Sequence, residues 1–188
     1  GAMITHYNLL SNSYSWVTVD QLGEYEGYLS YISPSWITEQ ILGIAIGLYK
    51  AWVVNFPEEA ETVPIDLRQI GPKRVFYGAR LWEGVASQIQ MKIAEGGVVN
   101  RWAYNLAVKT SEAYFQAKEK RKAETILLKP LYRLMKLMVF NPLRDQLGLS
   151  YIKAGYSGGA AIAPETMELF YRYGVNLKNL YGATEFMM

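Results

Sequence analysis

The periodicity of apolar residues in this chain switches repeatedly between two and about 3.6, and that alternation limits the fold more than any other feature. Tyr28-Leu29-Ser30-Tyr31-Ile32 reads as a short strand ending at Pro34, and residues 36–49 read as a helix with Ile37, Ile41, Ile44 and Leu48 on one face. Residues 51–56 form a β-rich run closed by Pro57, residues 65–70 a short helix stopped by Gly71-Pro72, and Arg74-Val75-Phe76-Tyr77 the next strand. Strands alternating with helices at these spacings predict a parallel sheet built from right-handed crossovers. From about Leu81 to Leu147 only helical periodicity is legible, with breaks expected at Gly96-Gly97 and near Pro130. A strand at 151–156, a helix from Pro164 to about Tyr173 and a strand at 175–181 follow. The expected fold class is therefore α/β: a mainly parallel sheet flanked by helices, with a long helical insertion at about 81–147 between two strands of one sheet.

Composition narrows the chemistry. The chain has 188 residues, 51% hydrophobic and 19% charged, which is enough to bury a core and excludes a disordered or low-complexity chain. It has no cysteine and one histidine, His6, so thiolate zinc sites, cysteine nucleophiles and histidine-dependent hydrolysis have little to work with. His6 reads as a surface or helix-entry residue with no catalytic partner nearby. Formal net charge is only +2, but it is unevenly spread. Residues 1–66 carry Lys50 as their one basic residue against eight carboxylates, whereas 118–153 are rich in Lys and Arg. A basic segment on a near-neutral chain predicts a local anionic partner and no nucleic acid. The longest apolar run, 41–54, is too short to span a bilayer and is broken by Lys50, and no secretory leader is legible; a soluble, cytoplasmic protein is expected.

Two loops could carry chemistry. Tyr156-Ser157-Gly158-Gly159-Ala160 follows a strand and precedes a helix opening at Pro164. Paired glycines there let backbone approach a ligand beyond the carboxyl end of a strand, although a tight strand-to-helix turn would use the same residues. Tyr181-Gly182-Ala183-Thr184-Glu185 ends the following strand and sets a stackable ring, a turn glycine, a hydroxyl and a carboxylate side by side. Successive strands would bring both loops to one sheet edge, where a nucleotide site is expected.

These residues resemble the adenine loop and the Y-G-x-T-E motif of the adenylate-forming, AMP-binding enzymes. The resemblance implies that Ser157, Gly158, Gly159 and Ala160 support an adenine and that Tyr181 and Gly182 pack on it. It further implies that Thr184 contacts phosphate and Glu185 binds Mg²⁺, making Thr184 and Glu185 the catalytic pair. Thr5-His6-Tyr7-Asn8-Leu9 resembles the S/T-H-x-N segment just downstream of that family's phosphate loop, with Gly1-Ala2-Met3 read either as native or as a leftover of cloning. Leu29-Ser30-Tyr31-Ile32-Ser33-Pro34-Ser35-Trp36-Ile37-Thr38-Glu39 is similar to the L-S-x-L-P-x-x-H-x-x-E stretch of the long-chain fatty acid CoA ligases. Gly78-Ala79-Arg80-Leu81-Trp82-Glu83 is similar to their V-P-R-x-x-E stretch, and the helical insertion is typical of the long-chain members.

The resemblance covers essentially the whole chain and implies part of an acetyl-CoA-synthetase-like large domain. The intact protein is then expected to use ATP, Mg²⁺ and CoA to convert a long-chain fatty acid to acyl-AMP and acyl-CoA. Trp36, Gly155 and Tyr156 are implied on the acyl side. Trp36 stands where many relatives carry histidine, and Ala79 replaces a proline. The phosphate loop is expected before Gly1, and the ribose-holding aspartate, hinge and catalytic lysine after Met188, so the chain alone is expected to be inactive. A fatty acyl-AMP ligase that loads a carrier protein, or a non-catalytic lipid-binding module on the same fold, would share these features. From the residues alone, Trp36 and Glu39 have plainer readings, as a core aromatic and as a residue capping or pairing within its own helix rather than acting as an acid. Lys118-Glu119-Lys120-Arg121-Lys122 reads as a solvated helical face. Leu131, Leu134, Met135, Leu137, Met138 and Phe140, with Arg133 and Lys136 interspersed, give the alternative of peripheral membrane contact.

Overall fold

The computed structural model describes residues 2–121 and 123–187; Gly1, Lys122 and Met188 lie outside the described residues. Helix α1 (His6–Asp20) opens on a reciprocal cap: the Thr5 hydroxyl accepts the Asn8 N–H at 3.2 Å, and Asn8 Oδ1 accepts the Thr5 N–H at 3.0 Å. Strand β1 (Gly27–Leu29) leads into α2 (Ile37–Glu39), a π-helical stretch (Gln40–Ile46) and α3 (Gly47–Tyr49), then β2 (Val53–Asn55). Helix α4 (Val63–Ile70) ends at Gly71, whose φ of 56° is the left-handed cap that favours glycine. Strand β3 (Arg74–Gly78) is followed by α5 (Ala79–Glu95), α6 (Val98–Glu119), α7 (Glu124–Met135), a π-helical turn (Lys136–Phe140) and α8 (Asn141–Gln146). Strand β4 (Ala154–Gly158), α9 (Pro164–Arg172) and β5 (Leu177–Asn179) complete the described chain.

The strands are parallel, as alternation predicts, but they form two sheets, β1-β2 and β3-β4-β5, where a single sheet was expected. Side chains take up the edge of β3. Arg74 Nε pairs with Glu26 at 3.4 Å ahead of β1, and the Tyr31 hydroxyl donates to the Phe76 carbonyl where a strand N–H would otherwise bond. The insertion does lie between two neighbouring strands, β3 and β4. Its first break falls at Gly96-Gly97 as expected; the second does not fall at Pro130. Pro130 sits inside α7, on its exposed side, and the chain turns earlier, around Arg121, with φ of 50°.

Alternation along β3 and β4 separates two apolar clusters. Val75 and Tyr77 face one with Trp82, Ile89 and Phe170; Phe76, Ala154 and Tyr156 face the other with Ile41, Leu42 and Ile46. Trp82 is fully buried, donates its indole N–H to the Tyr156 carbonyl at 2.9 Å, and meets the Phe170 ring edge-on at 4.7 Å. Gly155 makes this possible, because a Cβ there would lie 2.8 Å from the Trp82 ring. Helix α1 covers the opposite face, with Trp16 edge-on to Tyr156 at 5.1 Å.

Candidate nucleotide site

Strands β4 and β5 are paired in parallel, with Ser157 opposite Asn179, and the Leu180 N–H donates to the Ser157 carbonyl at 2.7 Å. Both expected loops therefore leave the same end of one sheet. Ser157 and Gly158 are buried in the strand, while Gly159 and Ala160 are exposed. Gly159 has φ of 81° with open space where a Cβ would stand, so its backbone is accessible from that side. Tyr181 is 89% exposed and leans on Phe186, leaving much of its ring bare. The segment carrying Thr184 and Glu185 is a tight turn closed by the Ala183 N–H donating to the Met187 carbonyl at 3.1 Å.

Thr184 and Glu185 line a cleft of about 330 Å³ together with Ile4, just ahead of α1, and with Asn8, Ser11, Asn12 and Ser15 of α1. Sequence reasoning did not single out the last three. Their signal was present, since positions 8, 11, 12 and 15 follow helical spacing and share one face. Hydroxyls, amides and one carboxylate, next to the N-terminal turn of a helix, suit polyphosphate oxygens and the cation they carry. Among the described residues no group of three or more His, Asp or Glu gathers to hold a metal.

The implied acyl-side residues lie elsewhere in the fold. Trp36 precedes α2 and is exposed, which corrects its reading as a core aromatic. It is not among the residues lining the cleft. Gly155 and Tyr156 are buried in β4. The Tyr156 hydroxyl donates to Asp20 at 2.5 Å and accepts from Arg74 at 3.1 Å. Glu39 does not pair within its helix: it is buried and accepts from Tyr28 at 2.8 Å and Ser30 at 2.6 Å, locking α2 to β1. His6 is exposed at the entry of α1, as expected.

A charged network that carries no local sequence signal ties the starts of β3 and β4 to the segment ahead of β1. Asp20 binds Lys178 and Tyr156, and buried Glu26 binds Lys153 at 2.8 Å and Arg74. Burial raises both carboxyls, but the hydrogen bonds and cations around them win and hold both below their ordinary values. Among the described residues no cation offsets the burial of Glu39, which pushes it up against the two bonds it accepts. Lowered carboxyls stabilise the fold above their unfolded pKa and cease to as pH falls through their folded pKa; a raised carboxyl has the opposite sign. Acid unfolding is therefore expected to set in below about pH 4, the ordinary carboxylate range. Asp20→Asn should reduce that acid sensitivity, and Glu39→Gln should remove a small gain on mild acidification; urea midpoints against pH check both.

The AMP-binding enzyme family matches residues 1–188. The long-chain-fatty-acid–CoA ligase ACSBG2 of Rattus norvegicus is 23% identical over 197 residues, covering 98% of this chain and 28% of the relative. The chloroplastic long-chain-fatty-acid–[acyl-carrier-protein] ligase AEE15 of Arabidopsis thaliana is 25% identical over 215 residues, again 98% of this chain and 28% of the relative. The chain thus spans between a quarter and a third of the length of these relatives. Among solved structures, the adenylation domain of a carboxylate reductase from Mycobacterium chelonae superposes with a TM-score of 0.65 at 16% identity, covering 98% of this chain and 24% of that one. The A-PCP didomain of a carboxylic acid reductase from Segniliparus rugosus, in complex with AMP, superposes with a TM-score of 0.58 at 16% identity, covering 98% and 22%. Those likenesses establish the fold, and among the described residues no helix is long and apolar enough to cross a membrane. With its full length matched, the chain belongs to the AMP-binding enzyme family.

Proposed function

We propose that the intact protein is a cytoplasmic ligase that activates a long-chain fatty acid with ATP and transfers the acyl group to CoA. This chain would supply the adenine support and one wall of the phosphate cleft. The reading rests chiefly on the convergence of the glycine loop, Tyr181 and the Thr184-Glu185 turn at one end of the β4-β5 pair. A fatty carboxylate oxygen would attack the α-phosphorus of ATP, the bond to pyrophosphate would break, and an acyl-AMP anhydride would form. The CoA sulfur would then attack the acyl carbon, and AMP would leave.

Catalysis of the first step is mainly placement and neutralisation of charge. Tyr181 would stack on adenine, the backbone of Gly159 and Ala160 would approach its edge, and Gly182 would leave room for the turn. Thr184 would donate to phosphate, and Glu185 would hold Mg²⁺. When bound, Mg²⁺ neutralises charge on the phosphates. Trp36 would present an apolar ring at the acyl entrance, with Gly155 and Tyr156 backing the acyl side from β4.

A second reading is favoured by one relative, whose name gives an acyl-carrier-protein as acceptor. Product analysis of the intact protein with fatty acid, ATP and either CoA or carrier protein separates the two. Acyl-CoA is the expected product; acyl-carrier protein without acyl-CoA would favour the second, and no acyl-AMP with either acceptor would refute both.

A further inference from the structure

The helical insertion presents an apolar face that the fold leaves bare. Helix α7 and the π-helical turn after it are continuous, and Tyr132 and Phe140 are buried against the body of the protein. On the other side Ile126, Leu127, Leu131, Leu134, Leu137 and Met138 recur at helical spacing and are all exposed, Ile126 and Leu127 by 77% and 78%. The face differs from the expected one: Phe140 is buried and Met135 half-buried, while Ile126 and Leu127 join it.

Charge around the face identifies what it fits. Lys129 and Arg133 flank it along one border, Lys118 lies in the last turn of α6, and Lys120 and Arg121 lie in the turn that enters α7; all five are exposed. Glu119 and Glu124 are the acidic residues of the same stretch. Lys122 lies outside the described residues. Apolar side chains bordered by Lys and Arg match an anionic lipid surface, with hydrocarbon below the headgroups for the one and negative headgroups for the other. We propose that α7 and its π-helical continuation lie in the interface of an anionic bilayer and dock the protein there. The contact is peripheral, since the helices are too short and too polar to span.

Co-sedimentation with phosphatidylcholine vesicles, with and without phosphatidylserine, tests this on the chain and on the intact protein. Binding to the phosphatidylserine vesicles is expected, and much weaker binding to phosphatidylcholine alone. Leu127→Glu with Leu134→Glu, and separately Lys129→Glu with Arg133→Glu, should each weaken binding at least about tenfold. These positions are exposed, so circular dichroism and the urea midpoint should be unchanged. Absence of binding to phosphatidylserine vesicles, or binding unchanged by the leucine pair, would overturn the proposal. So would a dimer that the leucine pair converts to monomer, because a second copy would then cover the face. Binding by the chain but not by the intact protein would also overturn it, since another segment would be the occupant.

Discussion

Replacing Glu185 with Gln in the intact protein is expected to slow acyl-AMP formation at least about 100-fold while leaving the fold nearly untouched. The side chain is exposed on a turn held by backbone bonds between Ala183 and Met187, so its carboxylate does little for stability. In the proposed function its contribution is charge. Glutamine keeps the shape and one acceptor oxygen but cannot neutralise a cation, so the loss should appear in the first half-reaction. Transfer from supplied acyl-AMP to CoA should change far less. Fatty-acid-dependent pyrophosphate exchange checks the first step and thioester formation from synthetic acyl-AMP the second. Equal loss in both would mean that Glu185 positions something common to the two steps.

Trp82→Ala is expected to have the largest effect on stability, about 3–5 kcal/mol. The ring is fully buried between the sheet and α9, packs edge-on with Tyr77 and Phe170, and occupies the space that Gly155 leaves free. Truncation would open a large cavity and also strip the Tyr156 carbonyl of its indole donor. Trp82→Phe should cost much less, because it keeps most of the packing and loses mainly the hydrogen bond. Urea unfolding of the chain measures both, and equal losses would show that the hydrogen bond dominates.

What the sequence made legible follows from how local each signal is. The strand at 74–77 and the helix from Pro164 could be read because their periodicity and their Gly and Pro boundaries are contained within each segment, whereas the strand expected at 151–156 runs over Ala154–Gly158 and takes in Ser157 and Gly158, read as loop. Helix α1 could not be read. Its Ser, Asn, Thr and Tyr residues are poor helix formers, and it is held by its cap and by packing against Tyr156. The division into two sheets depends on Tyr31 and Arg74 reaching across to partners 45 and 48 residues away, which no local window contains. Pro130 misled because a proline usually ends a helix; here it lies on the solvent side of α7, where the freed carbonyl can meet water. For the site, the motif residues were legible as types, whereas the polar residues supplied by α1 needed the fold to bring them beside Thr184 and Glu185.

If two loops from neighbouring strands form one adenine and phosphate site, a nuclear magnetic resonance titration of the chain with millimolar AMP will report it residue by residue. Shifts are expected to concentrate at Gly159, Ala160, Tyr181, Gly182 and Thr184, with cleft residues Ser11 and Ser15 following, and to weaken strongly in Tyr181→Ala. Absence of shifts at these residues, or a set centred elsewhere and indifferent to Tyr181→Ala, would mean that the two loops do not form a nucleotide site.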